Sequence, residues 1–302
     1  MISFPIKNTI LGILFFSFLF FSCSKSQLKT SKSSTKKSYI SLQKQVFQKD
    51  TVVVNTAVEL VKSIRSNRLI KLSESNYNIK NTLEIDSVNN LKIEGNLNAK
   101  IIVLDNVSSV VSLSNCTNIF IDSLEISYSK NSTDSRSQGG LKIKDSRKIS
   151  ISNSKLIDIR TVGLTTYNVN DLTVNNTLIT GCTGFLFELE KSKRIEFKKV
   201  KFLNNNLGAS VLGGFTNSTE QVRFLDCEFK NNIPAIIGNP VFNFRDNFSD
   251  FKDKITFKNC LFKNNKGYKW YGEKIKLIEC EIDSTDFVGL QVVKKNSILK
   301  DK

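Results

Sequence analysis

The chain has 302 residues, of which 40% are hydrophobic and 24% charged, and its formal net charge is +16. This composition is typical of a globular protein and excludes a wholly disordered chain. The sequence contains no histidine, which excludes a Ser-His-Asp triad, a histidine general base and a zinc site with histidine ligands. Proline is rare, and the abundance of Ile, Val, Phe and Asn favours strands joined by Asn-rich turns.

Residues 1–22 have the features of a secretory signal peptide, with an apolar core from Ile10 to Phe21. The uninterrupted apolar run is about a dozen residues, shorter than the ~20 that a membrane-spanning helix needs. The stretch Leu19-Phe20-Phe21-Ser22-Cys23 resembles a bacterial lipobox, which implies lipidation of Cys23 as the mature N-terminus. Its two phenylalanines depart from the smaller residues common at those positions, and the alternative is an ordinary signal peptide with an incidental cysteine.

Residues 23–50 are predicted to be a flexible Lys/Ser-rich tether, because 13 of the 15 residues from 24 to 38 are Lys, Ser or Thr. In lipoproteins, acidic residues soon after the lipidated cysteine can act as a surface-export signal, and residues 24–38 contain none. We therefore expect an exported outer-membrane lipoprotein that faces the periplasm and is attached to the membrane through its lipid anchor.

Residues 51–290 are expected to form one repeat domain. An apolar–x–apolar triplet recurs at intervals of 20–33 residues, and each copy is followed by a polar step and a second apolar pair. The alternation predicts strands, and units this short must stack on one another to bury their apolar faces. The eight copies begin at Leu91, Ile119, Ile149, Leu172, Ile195, Val222, Ile255 and Ile275.

The positions after each triplet also repeat. A small or medium residue comes five positions after the first, a large apolar residue follows two positions later, and asparagines come next, as at Asn204–Asn206. Asparagine tolerates a left-handed backbone, so it suits a tight corner in every coil. Over roughly residues 80–285 these units resemble the repeats of the pectate-lyase-like superfold. The resemblance implies an all-β fold, a single-stranded right-handed parallel β-helix.

Both ends of the domain have predicted structure. Ala57, Val58, Val61 and Ile64 share one face of an amphipathic helix with Asn55 as its N-cap, and such a helix can cap the N-terminal end of the stack. Residues 68–79 are predicted to be the first coil, and residues 291–302 a C-terminal tail.

Three cysteines, Cys227, Cys260 and Cys280, occupy the same inward position of consecutive coils. Stacked strands would place their Cα atoms about one strand spacing apart, within the ~4.4–6.8 Å range of a disulfide, and an exported compartment permits one. Free cysteine is also among the most buried residue types, and we expect buried thiols while the redox state stays open. The sequence contains no pattern that predicts a metal site or a cofactor.

The outward strand positions carry a charged cluster on three successive coils, formed by Glu196, Lys198, Arg223 and Lys258. Polysaccharide lyases of this fold neutralise a uronate carboxylate and remove the C5 proton with a basic side chain, so these four residues are the catalytic candidates. The alternative is an ordinary cross-strand ion pair between Glu196 and Arg223. The histidine and paired aspartates of the pectin-hydrolysing relatives have no counterpart, so the resemblance implies a fold and no catalytic residue.

An aromatic stretch provides candidates for glycan binding. Tyr268, Trp270 and Tyr271 lie in a long connection between strands, and exposed rings of this kind stack on sugars. The alternative is that these rings cover a coil edge.

The positive charge favours an acidic polysaccharide as a partner, whereas nucleic acid is not expected in an exported protein without an RNA-binding motif. The predicted function is that of an exported, lipid-anchored cell-envelope protein that binds a glycan or another partner without catalysis. One alternative is a polysaccharide lyase or another carbohydrate-active enzyme acting on an acidic polysaccharide. Another is a structural envelope component, and the sequence leaves the oligomeric state open.

Overall fold

The repeated triplets form the strands of one long parallel sheet, sheet A. The structure, a computed structural model, describes residues 50–300 apart from 97, 105–107, 130–138, 209–211, 217, 235, 237–238, 245–254, 266–267, 270–274, 284–286, 289–293 and 296–297. The predicted signal peptide, Cys23 and all of the tether except Asp50 lie outside the described residues. Sheet A has the order β1 (Thr51–Val54), β2 (Arg68–Leu72), β5 (Asn89–Glu94), β8 (Thr117–Asp122), β11 (Arg147–Ser152), β14 (Asn170–Asn175), β17 (Lys193–Lys198), β20 (Glu220–Leu225), β24 (Ile255–Lys258), β27 (Ile275–Ile278) and β30 (Lys294–Lys295).

The second apolar pair of each repeat forms sheet B, which is also parallel. Sheet B has the order β3 (Asn76–Ile79), β6 (Lys100–Val103), β9 (Glu125–Tyr128), β12 (Lys155–Ile157), β15 (Leu178–Thr180), β18 (Lys201–Leu203), β21 (Glu228–Lys230), β25 (Leu261–Lys263), β28 (Glu281–Asp283) and β31 (Ile298–Lys300). The last strands of sheets A and B, β30 and β31, lie within the segment expected to be the C-terminal tail.

A third parallel sheet, sheet C, closes each coil and was not predicted from the repeat pattern. Its strands are β4 (Leu83–Asp86), β7 (Ser109–Ser114), β10 (Gly139–Lys144), β13 (Leu164–Tyr167), β16 (Phe187–Glu190), β19 (Gly213–Phe215) and β23 (Phe242–Phe244). A small sheet D joins β22 (Asn239–Pro240), β26 (Tyr268–Lys269) and β29 (Phe287–Val288). The chain thus passes through sheets A, B and C in turn, and consecutive coils stack as a parallel β-helix.

The core consists of rows of side chains from equivalent positions of successive coils. Phe197, Phe224 and Phe257 form one row, with ring centroids 4.7 and 4.4 Å apart and nearly parallel planes. All three rings are fully buried. The ring separations approach the strand spacing of ~4.8 Å because in-register stacking holds equivalent side chains at that distance. Each aromatic pair adds about 0.5–1.5 kcal/mol beyond the area that it buries.

The predicted role of asparagine at the corners is confirmed. Asn204, Asn231 and Asn264 all have positive φ, between 54° and 56°, at the end of successive sheet B strands. Their side chains form a ladder in which Asn231 Nδ2 donates to Asn204 Oδ1 over 2.8 Å. Asparagine therefore both accepts the left-handed backbone and satisfies its own amide along the stack.

The next residue in each of these corners faces inward and forms a second ladder. Asn205, Asn232 and Asn265 are buried, with at most 2% of each residue exposed. Asn205 Nδ2 donates to Asn232 Oδ1 over 2.7 Å, and Asn232 Nδ2 donates to Asn265 Oδ1 over 2.9 Å. Buried amides are tolerated here because each is hydrogen-bonded to its neighbour in the stack.

The predicted helix is present as α1 (Ala57–Ser63), and Ala57 and Ile64 of its predicted face pack against the core. Its cap and the other two residues of that face differ from the prediction. Thr56 is the N-cap, with its hydroxyl accepting from the Glu59 amide over 3.1 Å. The helix is anchored through Leu60, which is fully buried, whereas Val58 and Val61 are 61% and 50% exposed. The helix carries apolar residues on two adjacent stripes, one with Val58 and Val61 and one with Leu60. The stripe that contains Leu60 faces the strands.

Cys227, Cys260 and Cys280 are buried free thiols at the predicted inward position. Burial raises the pKa of Cys260, and its contacts with the other two thiols raise it further. Cys182, at the corner after sheet B, is also buried, which raises the pKa of its thiol to about 12. The raised pKa values of Cys182 and Cys260 make these two thiols poor nucleophiles, and the burial of all four side chains makes them part of the packed interior.

Candidate functional site

A groove of about 540 Å³ lies on the outer face of sheet A. It crosses β14, β17, β20 and β24, where neighbouring strands place their outward side chains in register. The side chains that line it combine two arginines, two carboxylates and several uncharged polar groups. The lining residues are Asp171, Thr173, Arg194, Glu196, Gln221, Arg223 and Thr256, together with Ile195 and Val222, whose side chains are buried in the core.

The first charged pair lies at the edge of the groove, on residues with a left-handed backbone. Asp171 and Arg194 occupy equivalent positions one coil apart, with φ values of 62° and 56°. Arg194 binds the carboxylate with two parallel hydrogen bonds, 2.5 Å from Nε to Oδ1 and 2.9 Å from Nη2 to Oδ2. Hydrogen bonding to Arg194 lowers the pKa of Asp171, so this carboxylate is charged at neutral pH. The pair orients the guanidinium plane of Arg194, and three of the five guanidinium N–H donors do not bond to Asp171.

The second pair, Glu196 and Arg223, lies on directly opposed residues of β17 and β20. Arg223 Nη2 is 3.2 Å from Glu196 Oε2. The arginine side chain is 63% exposed, whereas the glutamate side chain is only 28% exposed. Most of the guanidinium therefore faces solvent above the groove. An exposed pair of this kind contributes about 0.2–1 kcal/mol to folding, so the fold does not depend on it.

Two of the four predicted cluster residues meet in the groove and two do not. Glu196 and Arg223 form the pair described above. Lys198 and Lys258 lie in the adjacent outward row, two strands apart, with Leu225 between them in the register. Lys258 Nζ is 3.9 Å from a carboxylate oxygen of Glu279. These two lysines contribute positive charge beside the groove and are not among the residues that line it.

The predicted aromatic candidates lie mostly outside the described residues. Tyr268 begins β26, but its side chain is not described, and Trp270 and Tyr271 lie outside the described residues. Their proposed role in glycan binding therefore stays a prediction.

Sequence reasoning missed Asp171, Arg194 and Gln221, which line the same groove. Each immediately precedes an inward apolar residue of a triplet and has positive φ. Alternation of inward and outward side chains begins at the triplet. It therefore does not predict which way the side chain of a left-handed residue before the triplet points. The signal was the repeated polar residue at that position in every copy, which includes the neighbouring Lys148.

The described part of the chain holds no group of three or more His, Cys, Asp or Glu side chains placed to bind a metal ion. Within that same part, no helix combines the length and the hydrophobicity needed to cross a membrane. The groove therefore offers arginine donors, amides and hydroxyls as its recognition groups.

Comparison with known proteins identifies the fold. No protein-family model matches the chain, and no curated protein matches it in sequence. The solved structure of pectate lyase Pel9A is similar with a TM-score of 0.50 at 12% identity, covering 83% of this chain and 79% of that chain. The chain is a right-handed parallel β-helix.

Two further solved structures are similar at lower TM-scores. Pectate lyase Bsp165PelA from Bacillus sp. N165, in complex with trigalacturonate, has a TM-score of 0.46 at 14% identity, covering 79% of this chain and 82% of that chain. The polygalacturonase from Erwinia carotovora ssp. carotovora has a TM-score of 0.44 at 13% identity, covering 83% and 93%.

Proposed function

We propose that this protein binds an acidic polysaccharide in the groove on the outer face of sheet A. The observation that carries the proposal is the exposed guanidinium of Arg223, held by Glu196 above a groove that also contains Arg194. Arginine is suited to this task because its planar donor fork matches a carboxylate in two parallel hydrogen bonds. The hydroxyls of Thr173 and Thr256 can bind the neutral hydroxyl groups of the same sugars.

The two groove carboxylates are compatible with an anionic ligand. Asp171 and Glu196 are each engaged by an arginine, so their charges are locally compensated. Lys198 and Lys258 add positive charge at the side of the groove, and the chain as a whole carries +16. The wider field therefore attracts polyanions, while the paired acids orient the donors that recognise them.

The proposal includes the cellular localisation predicted from the N-terminal sequence. The chain is exported, lipidated at Cys23 and held at the periplasmic face of the outer membrane by the tether of residues 23–50. Metabolic labelling with palmitate tests this step, because a Cys23→Ala variant loses the label if the cysteine is the acceptor. Label retained by that variant would refute the anchor and leave the groove proposal standing.

A second candidate is a polysaccharide lyase at the same groove. It is favoured by the residue types, since Arg223 can neutralise a uronate carboxylate and a basic neighbour such as Lys258 can accept the C5 proton. The pectate lyase Pel9A, with the same fold, carries that activity in its name. Binding without catalysis remains the first candidate because the candidate bases Lys198 and Lys258 are not among the residues that line the groove.

One experiment separates these candidates. The mature chain is incubated with polygalacturonate, alginate, hyaluronan and a neutral glucan while bound glycan and the ultraviolet absorbance of unsaturated uronate are both measured. Binding of a polyuronate without new absorbance supports the first candidate, and rising absorbance supports the lyase. Equal retention of the neutral glucan, or no retention of any polymer together with no new absorbance, would refute both.

Variants locate the site. Arg223→Gln removes one charge and the donor fork, and we expect it to weaken polyuronate binding about tenfold or more, since a hydrogen bond to a charged group is worth ~1.5–3 kcal/mol. Lys263→Gln, on the outer face of sheet B, removes the same charge away from the groove. Equal losses in the two variants would indicate binding through net charge alone and would refute the groove as the site.

A further inference from the structure

A second polar depression, of about 350 Å³, lies where the chain turns from sheet C into sheet A. It is centred on the starts of β8, β11 and β14, where Thr117, Arg147 and Asn170 stand in register. All three line the depression. Its lining is polar throughout, with side-chain amides and hydroxyls around a single arginine.

Arg147 differs from the two arginines of the groove. Its Nε donates to the hydroxyl of Thr117 over 3.3 Å, which fixes one edge of the guanidinium. Among the described residues it forms no salt bridge, whereas Arg194 and Arg223 each engage a carboxylate. Its residue is exposed, so the remaining donors are available to a ligand.

One carboxylate, that of Asp145, also lines the depression. Its Oδ1 accepts from Asn168 Nδ2 over 2.7 Å, and Lys144 Nζ lies 3.7 Å from its other oxygen. Lys144 therefore offsets the negative charge of Asp145, and the carboxylate oxygens can still accept hydrogen bonds from sugar hydroxyl groups. An arginine without an acidic partner beside such acceptors matches a sugar that carries one anionic group and several hydroxyls.

The depression and the groove meet on β14. Asn170 lines the depression and the next residue, Asp171, lines the groove. From β11 to β20 there are three strand steps in sheet A. The backbones that carry Arg147 and Arg223 are therefore separated by about 14 Å along the stack.

We propose that the Arg147 depression is a second anion subsite, which binds a uronate carboxylate of the same polysaccharide chain that occupies the groove. This inference rests on the proposed function. Arg223 also lies three residues further along its strand than Glu220, the residue in register with Arg147, which adds about 10 Å across the stack. A chain long enough to span about 17 Å therefore engages both subsites at once, and the second contact becomes intramolecular. Shorter oligomers occupy one subsite at a time and gain nothing from the other.

The test uses the length dependence of affinity. Oligouronates from the dimer upwards are titrated by calorimetry into the wild-type chain and into Arg147→Gln. In the wild type we expect affinity to rise about tenfold or more once the oligomer spans both subsites. In Arg147→Gln the long oligomers should bind no more tightly than short ones. Lys263→Gln is the matched control and should retain the full rise, and all variants should unfold within about 4 °C of the wild type.

Each result decides between the two proposals. Methyl-esterified oligomers of the same length should show no rise, because the ester removes the charge that Arg147 recognises. If Arg147→Gln keeps the full rise while Arg223→Gln lowers affinity, the second subsite is wrong and the proposed function stands. The second subsite is equally wrong if Arg147→Gln weakens short and long oligomers by the same factor. If the wild type binds no oligouronate, the proposed function and this inference both fail.

Discussion

Replacing Asn232 with alanine should destabilise the β-helix strongly, because this buried side chain connects three successive coils. Its Nδ2 donates to the carbonyl of Phe202 and to Oδ1 of Asn265, both over 2.9 Å. Its Oδ1 accepts from Asn205 Nδ2 over 2.7 Å. Alanine removes all three bonds and leaves their partners buried among apolar side chains.

The magnitude follows from those bonds. At about 1 kcal/mol net for each hydrogen bond, the loss is about 3 kcal/mol. Two of the partners keep another bond, since Asn265 Oδ1 also accepts from the backbone amide of residue 232 and Asn205 Nδ2 also donates to the Ile179 carbonyl. For a domain of this size a loss of about 3 kcal/mol corresponds to a fall of about 6–12 °C in the unfolding midpoint.

The matched control is Asn175→Ala. Asn175 is an outward residue of β14 and makes no side-chain hydrogen bond with any described residue. Its replacement should change stability by no more than about 0.5 kcal/mol. Thermal unfolding followed by circular dichroism, with a urea titration at fixed temperature, measures both variants. A midpoint for Asn232→Ala within about 2 °C of the control would refute the claim that the inward asparagine ladder holds the coils together, on the scale of ~2–4 °C per kcal/mol.

Three further outcomes are expected. Phe224→Ala should cost about 3–5 kcal/mol in a urea titration, since the ring is fully buried between two parallel rings, while Phe224→Leu should cost much less. Thr56→Ala should cost about 1 kcal/mol by removing the helix cap, and Thr56→Ser should restore it. Burial raises the pKa of Asp122, but hydrogen bonds from Asn153 and Ser152 and the charge of Lys92 outweigh it and hold this pKa below its usual value. Its contribution to stability is therefore present above pH ~4 and lost as the pH falls through the lowered value, so unfolding midpoints for Asp122→Asn and the wild type should converge in acid; parallel curves would contradict this.

The sequence predicts sheets A and B because their strands alternate without interruption. Leu172, Ile195 and Val222 repeat at one inward position, and Phe202 and Phe229 repeat at another, so each copy supports the others. Eight copies of one pattern cannot arise from a helix or from a sandwich with irregular connections.

Sheet C was not predicted, although most of its inward positions are apolar, as at Leu141 and Ile143, and the apolar pattern lapses at only a few described inward positions. Thr166 is buried in β13, where its hydroxyl hydrogen-bonds with that of Ser192 over 2.9 Å. Gly213 is buried in β19, where a Cβ atom would lie 2.1 Å from the ring of Phe187. A threonine or a glycine at an inward position interrupts the apolar pattern in the sequence, although each residue fits the space that its neighbours leave.

The candidate site was predictable only in part for a related reason. The positions of Glu196 and Arg223 on the outer face follow directly from the alternation. Asp171 and Arg194 reach the same groove because each is itself left-handed, as the second residue of its strand, and the alternation does not predict that conformation. The two-residue alternation of side-chain direction holds only for extended backbone, so it makes no prediction at a left-handed residue.

Stability and recognition are carried by different residues of this fold, which makes the groove testable. The inward rows and the asparagine ladders hold the coils in register, so they set the ~4.8 Å spacing between outward side chains. Arg147 and Arg223 contribute little to that scaffold, because Arg147 is exposed and the Arg223 side chain is 63% exposed. Substituting either arginine should lower the unfolding midpoint by no more than about 4 °C, so a loss of oligouronate affinity in a folded variant measures recognition directly.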